Sequence, residues 1–245
     1  MPILKSVRDE PEHEHERVAQ PDPWVMYLVV RYDVPVSATE LFVAAAQATM
    51  RCVEMHGETP AWAEAFDVWF EHSFRKVCLR AKGSNWAKLG TYDAGTGHVG
   101  DAPIVRALPP RLRSQCDNVL RHLQVYNPDP STLPPPPADP AISHAPAMLF
   151  ALNPSAPMSA GKAIAQVSHA VLMCARSAWA SDPRYAAAFA AWRQAGYPCR
   201  IAPPKAWAAL HAGADGVVVR DAGLTEVAPG TETVLALPPG YPIAR

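Results

Sequence analysis

The sequence predicts an α/β protein built from two related modules in tandem, and three observations carry that prediction. Apolar, strand-like runs alternate with helical stretches in both halves of the chain. A proline-rich segment, Asn127 to Pro146, separates the halves, with four prolines in a row that favour a stiff polyproline II spacer. Blocks of residues also recur in the same order on either side of that segment, as expected of a duplication.

The first module opens with Met26-Tyr27-Leu28-Val29-Val30, then Pro35-Val36-Ser37-Ala38, then a helical stretch to about Val53. The second opens with Met148-Leu149-Phe150-Ala151-Leu152, then Pro157-Met158-Ser159-Ala160, then a helical stretch to about Ala178, at a constant offset of 122. Ser37 and Ser159 sit where a helix N-cap is needed. Further on, Cys78 and Trp86-Ala87-Lys88-Leu89 answer Cys199 and Trp207-Ala208-Ala209-Leu210. Asp93-Ala94-Gly95 answers Asp221-Ala222-Gly223, and Val105 to Pro110 answers Val234 to Pro239. On that matching the first copy is shorter by seven residues between its Trp and its Asp-Ala-Gly, which predicts a lost or truncated strand where the second copy has Gly216-Val217-Val218-Val219. The second copy reads as strand 147–152, helix 159–178, helix 184–195, strand 197–202, short helix 204–211, strand 216–220, a loop, and strand 232–237. Apolar strands between helices imply a sheet covered on both faces.

Composition sets the outer bounds. Of 245 residues, 49% are apolar and 18% charged, so the chain can bury a core. Five scattered cysteines with no Cys-x-x-Cys pair indicate neither a disulfide framework nor a zinc site, and point to a cytoplasmic setting. No run reaches the roughly 18 apolar residues of a membrane span, and no apolar segment of signal-peptide length follows Met1. Residues 1–23 hold three basic and six acidic residues and read as a disordered tail; its His13-Glu14-His15-Glu16 is better explained as solvated than as a metal site. From Met148 onward eight basic face five acidic residues, a small excess compatible with a nucleic acid partner.

At about 100° per residue, Lys162, Gln166, His169 and Met173 share one sector of the helix that starts at Ser159, with Ile164, Val167 and Val171 opposite. A cation in the first turn opposes the helix dipole, so Lys162 is more useful for recruiting an anion than for stabilising the helix. The plainer alternative is a solvated polar stripe. The chain's end decides between them: Arg220-Asp221-Ala222-Gly223-Leu224-Thr225 continues through Gly230-Thr231 into the last strand. Together with Met158-Ser159-Ala160-Gly161-Lys162 and Ala165-Gln166-Val167-Ser168-His169-Ala170, it resembles the type-2 peptidyl-tRNA hydrolases over about residues 147–239.

The resemblance implies a three-layer α/β/α module with a four-stranded mixed sheet, and hydrolysis of the ester between a peptidyl group and tRNA. It places Lys162, His169, Asp221, Thr225 and Thr231 in the cleft, with Gln166, Arg200, Lys205, Arg220 and Gly230 as substrate contacts. Asp221 would orient or deprotonate water, with His169 as an alternative base. The two threonines and loop N–H groups would serve the oxyanion, and Lys162 would meet a phosphate. No metal or cofactor is implied. Leu224 and Glu226 stand where the family usually has Arg and Gln, which should weaken tRNA binding.

The first copy matches poorly at the same positions. Glu40 replaces Lys162 and Gln47 replaces His169; Asp93 survives but no Gly-Thr follows it. It reads as a degenerate module whose Arg75, Lys76, Arg80, Lys82 and Lys88 form either a solvated edge or a basic face for RNA. Gly95-Thr96-Gly97-His98-Val99-Gly100 matches a dinucleotide-binding pattern, but Pro103 and a strand follow instead of a helix, so no such site is expected. Since the family's members are single-domain homodimers, the fused chain is expected to be a monomeric pseudo-dimer with one working site. Two alternatives are compatible with the sequence: an aminoacyl-tRNA-dependent transferase, with an amine replacing water, and a non-catalytic RNA- or protein-binding module.

Overall fold

The structure, a computed structural model, describes residues 22–136, 145–213 and 215–242; the His13 to Glu16 cluster and most of the tail lie outside them. The first module runs β1 (Trp24–Arg31), α1 (Ala38–His56), α2 (Ala63–Val68), β2 (Arg75–Ala81), α3 (Gly83–Lys88), β3 (Gly95–Val99), β4 (Ala102–Ala107), β5 (Arg111–Leu112), α4 (Asn118–His122) and β6 (Gln124–Val125). The second runs β7 (Met148–Leu152), α5 (Ala160–Arg176), α6 (Ala178–Ser181), α7 (Pro183–Gln194), β8 (Cys199–Ile201), α8 (Trp207–Gly213), β9 (Val217–Arg220) and β10 (Glu232–Leu237).

The second sheet has the order β8-β7-β10-β9. The first repeats it as β2-β1-β4-β3, and adds the short β6 beside β2 and β5 beside β1, so it is six-stranded where four were expected. In both sheets the first two strands pair in parallel and the remaining pairs of the shared order are antiparallel. Strand β1 reads as a continuous apolar run because both of its faces are covered. Met26, Leu28 and Val30 face one buried cluster, and Val25, Tyr27 and Val29 face another.

These registers correct the matching of the two copies. Gly97 pairs with Val105 as Val219 pairs with Val234, so β3 is the counterpart of β9 and no strand is lost. Two residues past this pair, Asp221 corresponds to Val99, and Asp93 is not its equivalent. The missing seven residues belong to the loop before the last strand. The first module closes β3 to β4 with Gly100 and Asp101 alone, where the second has the segment from Ala222 to Gly230. The Gly-x-Gly of the rejected dinucleotide motif has a packing role: a Cβ at Gly97 would lie 1.8 Å from the Ala44 carbonyl oxygen, so β3 can rest on α1 only without a side chain there.

The two modules share a core. Helix α1 packs on α5, and each also touches the other module's second strand, α5 against β2 and α1 against β8. A single buried cluster runs from Met26 through Trp69 to Phe150, Trp192 and Ala236. Inside it the Thr49 hydroxyl donates to Ser168 Oγ at 3.0 Å. Helix α5 is therefore buried nearly all round, not along one face. Gly161, Ala165, Ser168 and Leu172, spaced four, three and four apart, are all buried. This stripe faces the first module, since Ser168 meets Thr49 and a Cβ at Gly161 would lie 1.7 Å from the Tyr126 carbonyl oxygen. The start of the linker is part of this contact: Ala160 N–H donates to the Pro128 carbonyl at 2.8 Å, and Leu133 packs on the shared core. It is not a free spacer up to that point.

Candidate active site

The site forms where β7 and β9 end and α5 begins. The two modules start their first helices by different means. In α1, Ser37 and Glu40 form a reciprocal capping box: Ser37 Oγ accepts from Glu40 N–H, and the Glu40 carboxylate accepts from Ser37 N–H at 2.8 Å. In α5 the residue three past the cap is Lys162, and the capping carboxylate comes instead from the loop. Glu226 accepts from Ser159 N–H at 2.6 Å and from Ser159 Oγ–H at 2.7 Å. Its negative charge sits at the positive end of the helix. Glu226 is thus a latch between loop and helix, not an unengaged charge repelling a polyanion.

Freed from capping, Lys162 turns inward. Its Nζ donates to Asp221 Oδ2 at 2.5 Å, with only 10% and 7% of the two side chains exposed. Gln166 Nε2 donates to the same oxygen at 2.7 Å, and Gly223 N–H donates to Oδ1 at 2.8 Å. Gln166 is itself oriented by Thr233, whose hydroxyl donates to Gln166 Oε1 at 2.7 Å. The loop is closed at its base by two backbone bonds, Gly230 N–H to Asp221 O and Asp221 N–H to Thr231 O. A carboxylate has about four acceptor positions; three are filled, which leaves one on Oδ1 for a water.

His169 lies two turns along α5, partly buried, and its partner comes from the other module. Lys76 of β2 places Nζ 3.0 Å from His169 Nδ1 and 3.7 Å from the centroid of Phe74, whose ring packs 4.8 Å from the imidazole. An ammonium can only donate, so Nδ1 accepts and the ring hydrogen is on Nε2. Burial, then the charge of Lys76 and that of Lys162, hold the His169 pKa well below the ordinary histidine value. The imidazole is neutral. Replacing Lys76 with Met should raise the His169 pKa towards about 6.5, while Arg at that position should keep it low. Proton NMR titration checks this, with the His169 resonance assigned by its loss in His169→Gln; an unmoved pKa in Lys76→Met would show that burial alone sets it.

Of the sequence-predicted residues, the structure brings Lys162, Gln166 and Asp221 into one cluster, closes its loop with Gly230, and sets His169 along the same helix. Thr231 is at the loop base, but its hydroxyl donates to the Ala228 carbonyl at 2.7 Å, which diverts its proton from an oxyanion. Thr225 is exposed on the loop. Arg220 turns outward to Glu232 Oε1 at 2.9 Å, and Arg200 and Lys205 are exposed on β8 and the turn after it. Sequence reasoning passed over Thr233 and took Lys76 for part of an edge. The alternation Thr231-Glu232-Thr233 at a strand start carries a signal for the former, because residues two apart share a face.

Fold and cluster together define a paired α/β protein with one charge-paired cleft at a helix start. The family profile described as Peptidyl-tRNA hydrolase PTH2 matches residues 24–89 and 147–242, one segment in each module. The chain belongs to this family, which is a family of hydrolases acting on peptidyl-tRNA. Comparison with curated proteins and with solved structures gave no match.

Proposed function

We propose that the second module hydrolyses the ester joining a peptidyl or aminoacyl group to the ribose of tRNA, and that one chain acts alone as the paired unit. The observation that carries this reading is Asp221, fixed by Lys162, Gln166 and Gly223 N–H with one acceptor position left for water. Water bound there attacks the ester carbonyl. Its proton passes to the carboxylate as the tetrahedral oxyanion forms, and the carbon–oxygen bond to the ribose then breaks, with the proton delivered to the leaving hydroxyl. Lys162 gives one N–H to Asp221 and has two more for the developing oxyanion. That tie to the reacting carboxylate favours an oxyanion role over a grip on phosphate. His169, a neutral donor through Nε2, serves polarisation better than proton abstraction. The protein would act in the cytoplasm without a metal or cofactor.

The test is incubation with charged tRNA, resolving the products. Release of free acyl amino acid and intact tRNA is expected; an amide formed only when an amine is supplied would replace this reading with a transferase.

A further inference from the structure

We propose that the first module, outside the cleft just described, carries a docking site for a nucleotide of single-stranded RNA, built from Tyr32, Arg80 and Lys82. The inference rests on the tRNA reading above and concerns how such a substrate is held.

The cations at the cleft itself offer little for a phosphate. Lys162 is bound to Asp221, and Arg220 to Glu232. A substrate whose affinity depends on phosphate contacts needs its positive charge from elsewhere, and β2 supplies it. Lys76, Cys78 and Arg80 alternate onto one face of that strand. This is the face against α5: Lys76 meets His169, and the Cys78 Cβ would lie 3.5 Å from a Cβ at Gly161, next to Lys162 in the chain. Arg80 is two residues farther, roughly 7 Å along the strand, just past the start of α5 and its catalytic lysine.

There Arg80, Lys82 and Tyr32 meet. The Arg80 guanidinium lies 5.4 Å and the Lys82 ammonium 5.2 Å from the centroid of the Tyr32 ring, which is 39% exposed. They line a cavity of about 480 Å³ with Ser84, Asn85 and Gln124. The carboxylate among the described residues lining it, Asp33, accepts from Arg31 at 3.0 Å, which offsets its charge. Two cations close to a part-exposed ring, one of them (Arg80) also donating to Gln124 Oε1, match a phosphodiester and the base beside it: the charges meet the phosphate, and the exposed part of the ring offers a stacking surface that tolerates any base. Serine and asparagine at the rim suit sugar and base edges. The module without catalytic residues thus holds the strand whose acylated end reaches Asp221.

The test uses the full chain and a short fluorescein-labelled single-stranded RNA, read by fluorescence anisotropy at several salt concentrations. The Arg80→Ala/Lys82→Ala double variant should bind more weakly, with the slope of log affinity against log salt reduced by about 0.7, the value for one phosphate no longer neutralised. Tyr32→Ala should bind about tenfold more weakly with the slope unchanged. Hydrolysis of a substrate lacking tRNA, an N-acetylaminoacyl ester of adenosine, should keep its wild-type rate in the double variant. Wild-type affinity and slope in the double variant, or no RNA binding by the wild type, would overturn the proposal. Equal displacement of the RNA by a polyglutamate peptide of matched charge would make this an acidic-peptide site instead. A wild type that hydrolyses no ester would sink the hydrolase reading alone, since the anisotropy measurements would still decide this one.

Discussion

Asp221→Asn is expected to lower the maximal deacylation rate by about 10²–10⁴, the usual worth of one positioned acid–base group. The amide keeps the size of the carboxylate but cannot take a proton from water. It also faces Lys162 and Gln166 with part of its acceptor capacity replaced by a donor. Because Lys162 and Asp221 are both largely buried, removing one charge also strains the fold, by up to about 3–5 kcal/mol for a fully buried pair. Rates must therefore be measured below the melting transition, followed by circular dichroism. Asp93→Asn is the matched control. Asp93 accepts from Trp62 Nε1 at 3.0 Å on the exposed side of the first module, and it is not the counterpart of Asp221. It should leave the rate unchanged. Equal losses from the two substitutions would mean that the first module is catalytic after all.

Separating the modules should have an effect at least as large. Residues 145–245 expressed alone would expose the Gly161, Ala165, Ser168, Leu172 stripe of α5 along with much of the shared core, and would remove Lys76 from His169. The fragment is expected to elute from size exclusion as a dimer or larger aggregate, and adding residues 22–136 in trans should return it to a one-to-one complex. A stable, soluble monomer of the fragment would show that the packing between modules is dispensable, and with it the account of His169.

Much of this was legible in the sequence because it is written locally. Every element expected in the second module is present, since apolar runs, capping serines and prolines mark them. The trio Lys162, Gln166 and Asp221 was legible through helical spacing and the loop motif. What was not legible depends on registers and on the partner module. Asp93-Ala94-Gly95 copies the letters of Asp221-Ala222-Gly223, yet strand pairing places it at the opposite end of β3. Lys76 looks like one charge in a basic run until β2 is laid against α5. Glu226 reads as a departure from the family, and only its bonds to Ser159 show that it does for α5 what Glu40 does for α1.

The pairing of Lys76 with His169 has a consequence for how such a site can change. Where two identical chains meet about a two-fold axis, residue i meets j and j meets i, so every substitution is made twice. Here the mate of that pair is Cys199, which strand register matches to Lys76 and not to Cys78, with Gln47, and it has neither the ammonium nor the imidazole. Two modules in one chain are free of that constraint: one half has a two-residue turn and a self-capped helix start where the other has a nine-residue loop and an inward lysine. Two roles that would conflict on a single surface are divided between two addresses in one sequence.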